Sequence, residues 1–112
     1  MKEDIVFLNH ILECIKDIED YSKGISLSKF VMDKKTHDAV IRKLEIIGEA
    51  TKNLSEKFRI KNKSVDWRVI AGFRDKLIHK YFGINLELVW EVIKRDLPLL
   101  KDQIEFIIKG KK

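Results

Sequence analysis

The chain has 112 residues, the length of one domain with one hydrophobic core, and we predict a single domain spanning residues 1–112. Its hydrophobic content of 45% is typical of a globular protein, and one proline with five glycines is too few for the frequent turns of an all-β fold. Cys14 is the only cysteine, which excludes an internal disulfide framework and a cysteine-rich zinc site. No apolar run approaches the roughly 20 residues that span a bilayer, and the N-terminus lacks the apolar core of a signal peptide. We therefore expect a soluble cytoplasmic protein that does not bind a membrane.

Positive charge is concentrated in one stretch of the sequence. The net charge is +5, and residues 57–80 contain eight basic and two acidic residues, so this stretch carries +6 and the rest of the chain −1. The basic residues of the stretch are Lys57, Arg59, Lys61, Lys63, Arg68, Arg74, Lys76 and Lys80. Such an excess favours an anionic partner, of which a nucleic-acid backbone is the commonest. The alternative is a solvated basic surface that serves solubility alone.

The first half of the chain predicts two long helices from its apolar spacing. The first runs from about Asp4 to Tyr21 and ends at Gly24, and the second runs from about Lys34 to Phe58. The apolar stripe of the second helix alternates steps of four and three residues, as helices in bundles do. Its members are Val40, Leu44, Ile47, Thr51, Leu54 and Phe58.

The second half predicts two more helices. The third begins at Asp66 as its N-cap and continues to about Tyr81, with Gly83 as its C-terminal stop. The fourth opens at Asn85 and contains Pro98, which removes a backbone donor and is expected to kink or split it. The four segments predict an all-α fold, an up-down bundle of four to five helices.

Two features of the sequence concern how these helices meet. Gly48 and Gly72 lie inside predicted helices, where a glycine costs about 1 kcal/mol relative to alanine, so both predict a close approach of two helices. Six apolar residues exceed what the main stripes can bury in one core: Ile5, Phe7, Ile41, Ile46, Trp90 and Val92. A second apolar face predicts a partner surface, most simply that of a homodimer.

The segment from Arg74 to Tyr81 contains the pattern R-x4-H-x-Y, with His79 as its histidine. On a continuous helix with about 100° per residue, Arg74 and Tyr81 point the same way, and Asp75 shares a face with His79. Asp75 is then expected to orient or charge the imidazole, and the nearby helix C-terminus to favour its protonated form. Arg74 and His79 lie about 140° apart around such a helix, so they converge on one phosphate only at a frayed end or with a second chain.

These residue types suffice in principle for cleavage of RNA without a metal or cofactor. His79 takes the proton from a ribose 2′-hydroxyl, which attacks the adjacent phosphate, and the Arg74 guanidinium stabilises the charge of the transition state. The leaving 5′-oxygen needs an acid as well, and one histidine per chain cannot easily play both parts, whereas two chains meeting along this segment can. Six other basic residues are expected to bind the RNA: Arg59, Lys61, Lys63, Arg68, Lys76 and Lys80.

The R-x4-H motif by itself is also compatible with a purely structural role. With five arginines and three histidines in the chain, one R-x4-H pair arises by chance with a probability of about 0.13. His79 is then a structural histidine at a helix end. The basic surround and the tyrosine two residues later are what favour catalysis.

At these residues the chain resembles the HEPN superfamily of helical bundles, which carries an R-x4-6-H motif, usually with a polar residue after the arginine. Arg74, Asp75 and His79 match that form, and the HepT-like toxin branch extends it to R-x4-H-x-Y, which Tyr81 completes. The flanks resemble the same branch, at RKLEIIGEA (residues 42–50), DWRVIAGFR (66–74), YFGIN (81–85), VW (89–90) and DLP (96–98).

The resemblance implies a homodimer with a composite active site, metal-independent RNA cleavage, and a role as the toxin of a toxin–antitoxin pair. The implied substrate is RNA, either tRNA or mRNA. The implied partner is a minimal nucleotidyltransferase antitoxin encoded beside the toxin, which adds AMP to the motif tyrosine, here Tyr81. An anionic group of that size two residues from His79 would block RNA by charge and volume.

Two other functions compete with the toxin. The first is a non-catalytic subunit of a nucleotidyltransferase that binds RNA or a nucleotide through its basic stretch. The second is a plain dimeric interaction domain, in which Arg74 and His79 are structural.

Overall fold

The computed structural model describes residues 2–73, 75, 78–79 and 83–110, and for residues 2, 78, 79, 83 and 84 the backbone alone. The elements are α1 (Lys2–Ser22), α2 (Leu27–Met32), α3 (Lys34–Lys52), α4 (Glu56–Lys61), α5 (Trp67–Ala71), β1 (Ile78–His79), β2 (Gly83–Ile84), α6 (Leu86–Glu91), a π-helical turn (Val92–Asp96) and α7 (Leu97–Gly110). The predicted all-α class is confirmed: helices form the core, and the described strands are one pair of two residues each.

The centre of the fold is the pair of long helices α1 and α3. Asp4, near the start of α1, binds Ser55 just beyond the end of α3, and Asp17, near the end of α1, pairs with Lys43 in the middle of α3. The two helices therefore run antiparallel. The six residues predicted as the stripe of the second helix are all buried. The α1 and α7 side chains that complete this core are Leu8, Ile11, Ile15, Ile18, Leu97, Leu100, Ile104 and Ile107.

The predicted second helix is two helices. It was expected to continue to Phe58, but α3 ends at Lys52 and α4 begins at Glu56. The break is fixed by the buried carboxylate of Asp4, which accepts hydrogen bonds from the Ser55 backbone N–H at 2.8 Å and from the Ser55 hydroxyl at 2.9 Å. The Ser55 hydroxyl in turn accepts from the Phe58 N–H at 3.1 Å and caps α4.

The predicted third helix is wrong in its length. Asp66 caps it as expected, accepting from the Val69 N–H, but α5 ends at Ala71 and Gly72 is its C-cap. Phe73 and Asp75 are helical again, so the predicted helix is interrupted at Gly72 and has ended by Ile78. The backbone of His79 lies in β1, which pairs antiparallel with β2 in the register Ile78 to Ile84 and His79 to Gly83. A helix cannot continue through an extended residue, so the helical alignment of Asp75 with His79, and the placing of His79 in a last helical turn, are wrong as well.

The fourth predicted helix begins as expected, with the Asn85 side chain accepting from the Leu88 N–H at 3.0 Å. Pro98 does not end it. The chain widens into the π-helical turn just before the proline, where the Leu97 N–H donates to the Val92 carbonyl, and then continues as α7. Because Pro98 has no N–H for the Lys94 carbonyl, a wider turn at this place accommodates the missing hydrogen bond.

The six surplus apolar residues do not form a spare face. Ile41 and Val92 are buried, and the other four are half-buried against the core. Among the side chains that the structure describes, the most exposed large apolar ones are different: Met32, Ile60, Leu99 and Phe106. None of the helices in the described part of the chain is long and apolar enough to cross a membrane.

Candidate nucleic-acid interface

The corner made by α4 and α5 is built from a few directional contacts. The Asn62 side-chain amide donates to the Phe58 carbonyl at 3.0 Å, and the Trp67 indole N–H donates to the Asn62 carbonyl at 3.0 Å. The rings of Phe58 and Trp67 pack with their centroids 5.7 Å apart, and both side chains are buried. The tryptophan therefore anchors the start of α5 to the end of α4.

An open groove of about 880 Å³ lies across this corner. Its lining contains three residues of the predicted RNA-binding set, Arg59, Lys63 and Arg68, and two acids, Glu56 and Asp66. The Asp66 carboxylate is engaged as the cap of α5. Residues 56–69 contain five basic and two acidic residues, so the corner as a whole carries a charge of +3.

The two arginines of the groove differ from the others that the structure describes. Arg42 lies 3.4 Å from Glu45 and Arg95 lies 3.7 Å from Glu91, whereas neither Arg59 nor Arg68 forms an ion pair with a described carboxylate. The Arg59 Nε–H is also buried without a hydrogen-bond partner among the described residues. A guanidinium without a carboxylate is free to bind a phosphate in a bidentate manner.

The end of α5 is held against α3 by a glycine. A Cβ placed on Gly48 would lie 3.1 Å from the Ala71 carbonyl oxygen, so the predicted close approach at Gly48 is confirmed. At Gly72 the nearest described atoms to such a Cβ belong to its own helix, with the Arg68 carbonyl oxygen at 3.5 Å, so no other helix of the described residues makes the predicted approach there. Phe73 is buried, which fixes the chain one residue before the motif arginine.

The predicted site residues fall into three groups. Arg59, Lys63 and Arg68 line the groove, while Lys61 is exposed on α4 outside the described lining. Asp75 is exposed and borders a separate small cavity with Glu49 and Lys52 of α3 among its neighbours. Four of the predicted residues, Arg74, Lys76, Lys80 and Tyr81, lie outside the described residues, and of His79 only the backbone is described.

The two exposed apolar residues of the groove were not predicted as part of a site. Ile60 and Val69 line it with exposed apolar side chains beside the three cations. Their signal in the sequence is weak. Ile60 comes after the apolar stripe that ends at Phe58, and Val69 lies between the buried positions Trp67 and Ile70, so neither fits a core face.

The fold and this corner define a class: an all-α bundle with a basic groove whose last lining residue, Val69, lies five residues before an R-x4-H-x-Y segment in the chain. A family model described as ribonuclease HepT-like matches residues 11–107. The chain belongs to this family, which confirms the resemblance given by the motif and its flanks. The match supports a ribonuclease.

Curated relatives agree with this assignment. A protein of Caldanaerobacter subterraneus subsp. tengcongensis, provisionally named an RNase, is 46% identical over 112 residues, which covers the whole of both chains. A protein of Thermococcus cleftensis, provisionally named ribonuclease HepT, is 45% identical over 103 residues, or 92% of this chain and 94% of the relative. A protein of Methanocaldococcus jannaschii, named gamma-glutamylcyclotransferase and provisionally RNase, is 50% identical over 105 residues. That alignment covers 93% of this chain but 47% of the relative's length. No solved structure matches the chain.

Proposed function

We propose that this protein is a metal-independent endoribonuclease that acts in the cytoplasm as the toxin of a toxin–antitoxin pair, cutting tRNA or mRNA. The observation that carries the proposal is the family match over residues 11–107, which contains the full R-x4-H-x-Y motif from Arg74 to Tyr81. The groove formed by residues just before the motif in the chain supports an RNA substrate, since it presents cations without described carboxylate partners.

The chemistry is a transesterification within the RNA. The His79 imidazole accepts the proton of a ribose 2′-hydroxyl, the 2′-oxygen bonds to the adjacent phosphorus, and the bond from phosphorus to the 5′-oxygen breaks. The leaving 5′-oxygen takes a proton from an acid, and a 2′,3′-cyclic phosphate remains on the other fragment. Arg74 neutralises the charge that develops on the phosphate oxygens. A positioned proton donor or acceptor of this kind contributes about 10²- to 10⁴-fold to the rate.

The acid and the base are two different groups in this reaction. Each chain supplies one histidine in the motif, so a homodimer with the two motifs facing each other provides both. This arrangement makes the dimer the active unit of the proposal. Concentration-dependent activity that follows the dimer population is its expected signature.

Regulation in this proposal occurs at Tyr81. A minimal nucleotidyltransferase antitoxin transfers AMP from ATP to the tyrosine oxygen, with pyrophosphate leaving. The added phosphate places negative charge beside the cleavage motif and repels the RNA backbone. Protein carrying AMP on Tyr81 is expected to lose RNA cleavage while its fold is unchanged.

The test is incubation of purified protein with tRNA and mRNA in excess chelator, followed by mapping of the ends. Arg74→Ala and His79→Ala are expected to lose at least about 100-fold in cleavage rate with unchanged circular dichroism. Arg95→Ala and His10→Ala are the matched controls, because both side chains are exposed and belong to helical segments outside the motif in the sequence. Wild-type cleavage by both motif variants would overturn the proposal. RNA binding without cleavage in the wild type would favour the non-catalytic subunit instead.

A further inference from the structure

The groove between α4 and α5 combines two kinds of surface in one place. Arg59, Lys63 and Arg68 supply positive charge, and Ile60 and Val69 supply exposed apolar area between and beside these cations in the chain. We propose that this groove binds a single-stranded segment of RNA, with backbone phosphates on the cations and a base against the apolar side chains. The inference rests on the proposed function, because it assigns the substrate class of the same enzyme.

The phosphate part of the inference follows from the unpaired arginines. Arg42 and Arg95, on α3 and at the π-helical turn, face carboxylates, whereas Arg59 and Arg68 have no described carboxylate partner and line the same groove. A guanidinium without a carboxylate partner offers charge-assisted N–H donors to a phosphate in the groove. The net charge of +3 over residues 56–69 has the sign that such an anion requires.

The single-stranded part follows from Ile60 and Val69. Ile60 is 63% exposed, although isoleucine is among the residues most often buried. A duplex offers mainly phosphates and sugars to a protein surface, because its bases are stacked on one another. An unpaired segment offers free base faces, which bind apolar side chains while its phosphates follow the cations.

The α5 side of the groove is also fixed in the fold. Arg68 and Val69 belong to α5, whose end is fixed by the contact of Gly48 with Ala71 and by the buried Phe73. An RNA strand held in the groove is therefore bound by a surface whose α5 side is fixed on α3. RNA with an unpaired segment is expected to be cut, and fully paired RNA is expected to be cut poorly.

The first experiment measures binding in the His79→Ala background, which keeps the RNA intact. The probes are a fluorescent single-stranded RNA oligonucleotide and the same oligonucleotide annealed to its complement, titrated by fluorescence anisotropy at several salt concentrations. The single strand is expected to bind at least ten-fold more tightly than the duplex. Lys63→Ala and Arg68→Ala are each expected to weaken single-strand binding several-fold and to lower the slope of log affinity against log salt by about 0.7.

Matched controls come from the same molecule. Lys57→Ala removes one exposed cation of α4 that the described groove lining does not include, and it is expected to retain most of the affinity. Ile60→Ala is expected to weaken single-strand binding two- to five-fold without changing the salt slope. Leu99→Ala, whose side chain is 60% exposed on α7, is expected to leave binding unchanged.

Three outcomes would overturn the inference. The first is an affinity for the duplex equal to that for the single strand. The second is a loss of RNA affinity in Lys57→Ala equal to that in Lys63→Ala. The third is a set of groove variants that bind RNA as the parent does but no longer bind an acidic protein partner. The last outcome would assign the groove to a protein interface. None of the three touches the proposed function, which falls only if Arg74→Ala and His79→Ala cleave RNA as the wild type does.

Discussion

The cations on the long helices and the cations at the α4–α5 corner have different surroundings. Lys43 lies 2.9 Å from Asp17 and Lys101 lies 3.1 Å from Glu19, so these lysines attach α3 and α7 to α1. At the corner, Arg59, Lys63 and Arg68 have no ion pair with any carboxylate that the structure describes. Charge therefore connects the framework helices, whereas apolar packing and capping hydrogen bonds hold the corner together.

This difference separates two roles for similar side chains. The hydrogen bond that Lys43 donates to the Asp17 carboxylate is the main cause that raises the pKa of Lys43, and the one that Lys101 donates to Glu19 does the same for the pKa of Lys101. These cations are thus stabilised by the folded protein itself. The corner cations have no ion pair with a described carboxylate, so their charge is left for an external anion. The comparison predicts that removing apolar contacts at the corner lowers the free energy of unfolding, whereas removing its charged side chains hardly changes it.

The largest effect is expected from Phe58→Ala, which removes the ring that supports Trp67. Phe58 is 1% exposed, and truncating a buried phenylalanine costs about 3–5 kcal/mol. Urea denaturation followed by circular dichroism measures the change in the free energy of unfolding. Phe106→Ala is the control, because that ring is 78% exposed on α7 and its loss is expected to change stability by less than about 0.5 kcal/mol. Equal losses in the two variants would mean that the corner does not depend on Phe58.

A smaller effect is expected from Gly48→Val, which acts at the contact between α3 and α5. Even a Cβ would lie 3.1 Å from the Ala71 carbonyl oxygen, and the further methyl groups of valine force the two helices apart. Overpacking of this kind costs about 1–3 kcal/mol. Because the displaced segment leads to Arg74, RNA cleavage is expected to fall by more than the loss of folded protein explains.

The control for this prediction is Gly110→Val, since no heavy atom lies within 4 Å of a Cβ at that position. It is expected to leave both stability and cleavage unchanged. Wild-type cleavage activity in Gly48→Val would show that the activity of the motif does not depend on the packing of α5 against α3.

The sequence predicts the framework well and the corner poorly, for a physical reason. A stripe such as Val40, Leu44 and Ile47 records which face is buried, and the structure buries that face. The break before α4 depends on the carboxylate of Asp4, 51 residues away from Ser55, and a local pattern cannot contain such a contact. The apolar stripe therefore continues through the break even though the helix does not.

The site shows the same limit. The sequence shows that Arg59, Lys63 and Arg68 belong to one basic stretch, and in the structure these three residues line one groove. Helical spacing placed His79 on the face of Asp75, but Gly72 ends α5 and the His79 backbone is extended. β-Branched residues such as Ile78 and Ile84 suit a strand as well as a helix, so periodicity alone does not decide between the two structures.

The smallest effect is expected from Lys101→Met, which removes one framework ion pair. Half-exposed pairs contribute up to about 1 kcal/mol, so the loss at pH 8 is expected to lie below that value. The pKa of Lys101 is raised in the folded protein, so its contribution is complete below the unfolded pKa of about 10.4 and is lost as pH rises through the folded pKa. The wild type and the variant are therefore expected to differ at pH 8 and to converge at high pH in urea denaturation.

Arg68→Ala is the partner experiment at the corner, because it removes one exposed cation that has no described carboxylate partner. Its free energy of unfolding is expected to stay within about 0.5 kcal/mol of the wild type, with no change in the pH dependence. A loss equal to that of Lys101→Met would show that Arg68 serves the fold, and the distinction between framework and corner cations would then fail. An unchanged stability together with weakened RNA binding would place the arginine's role outside the folding of its own chain.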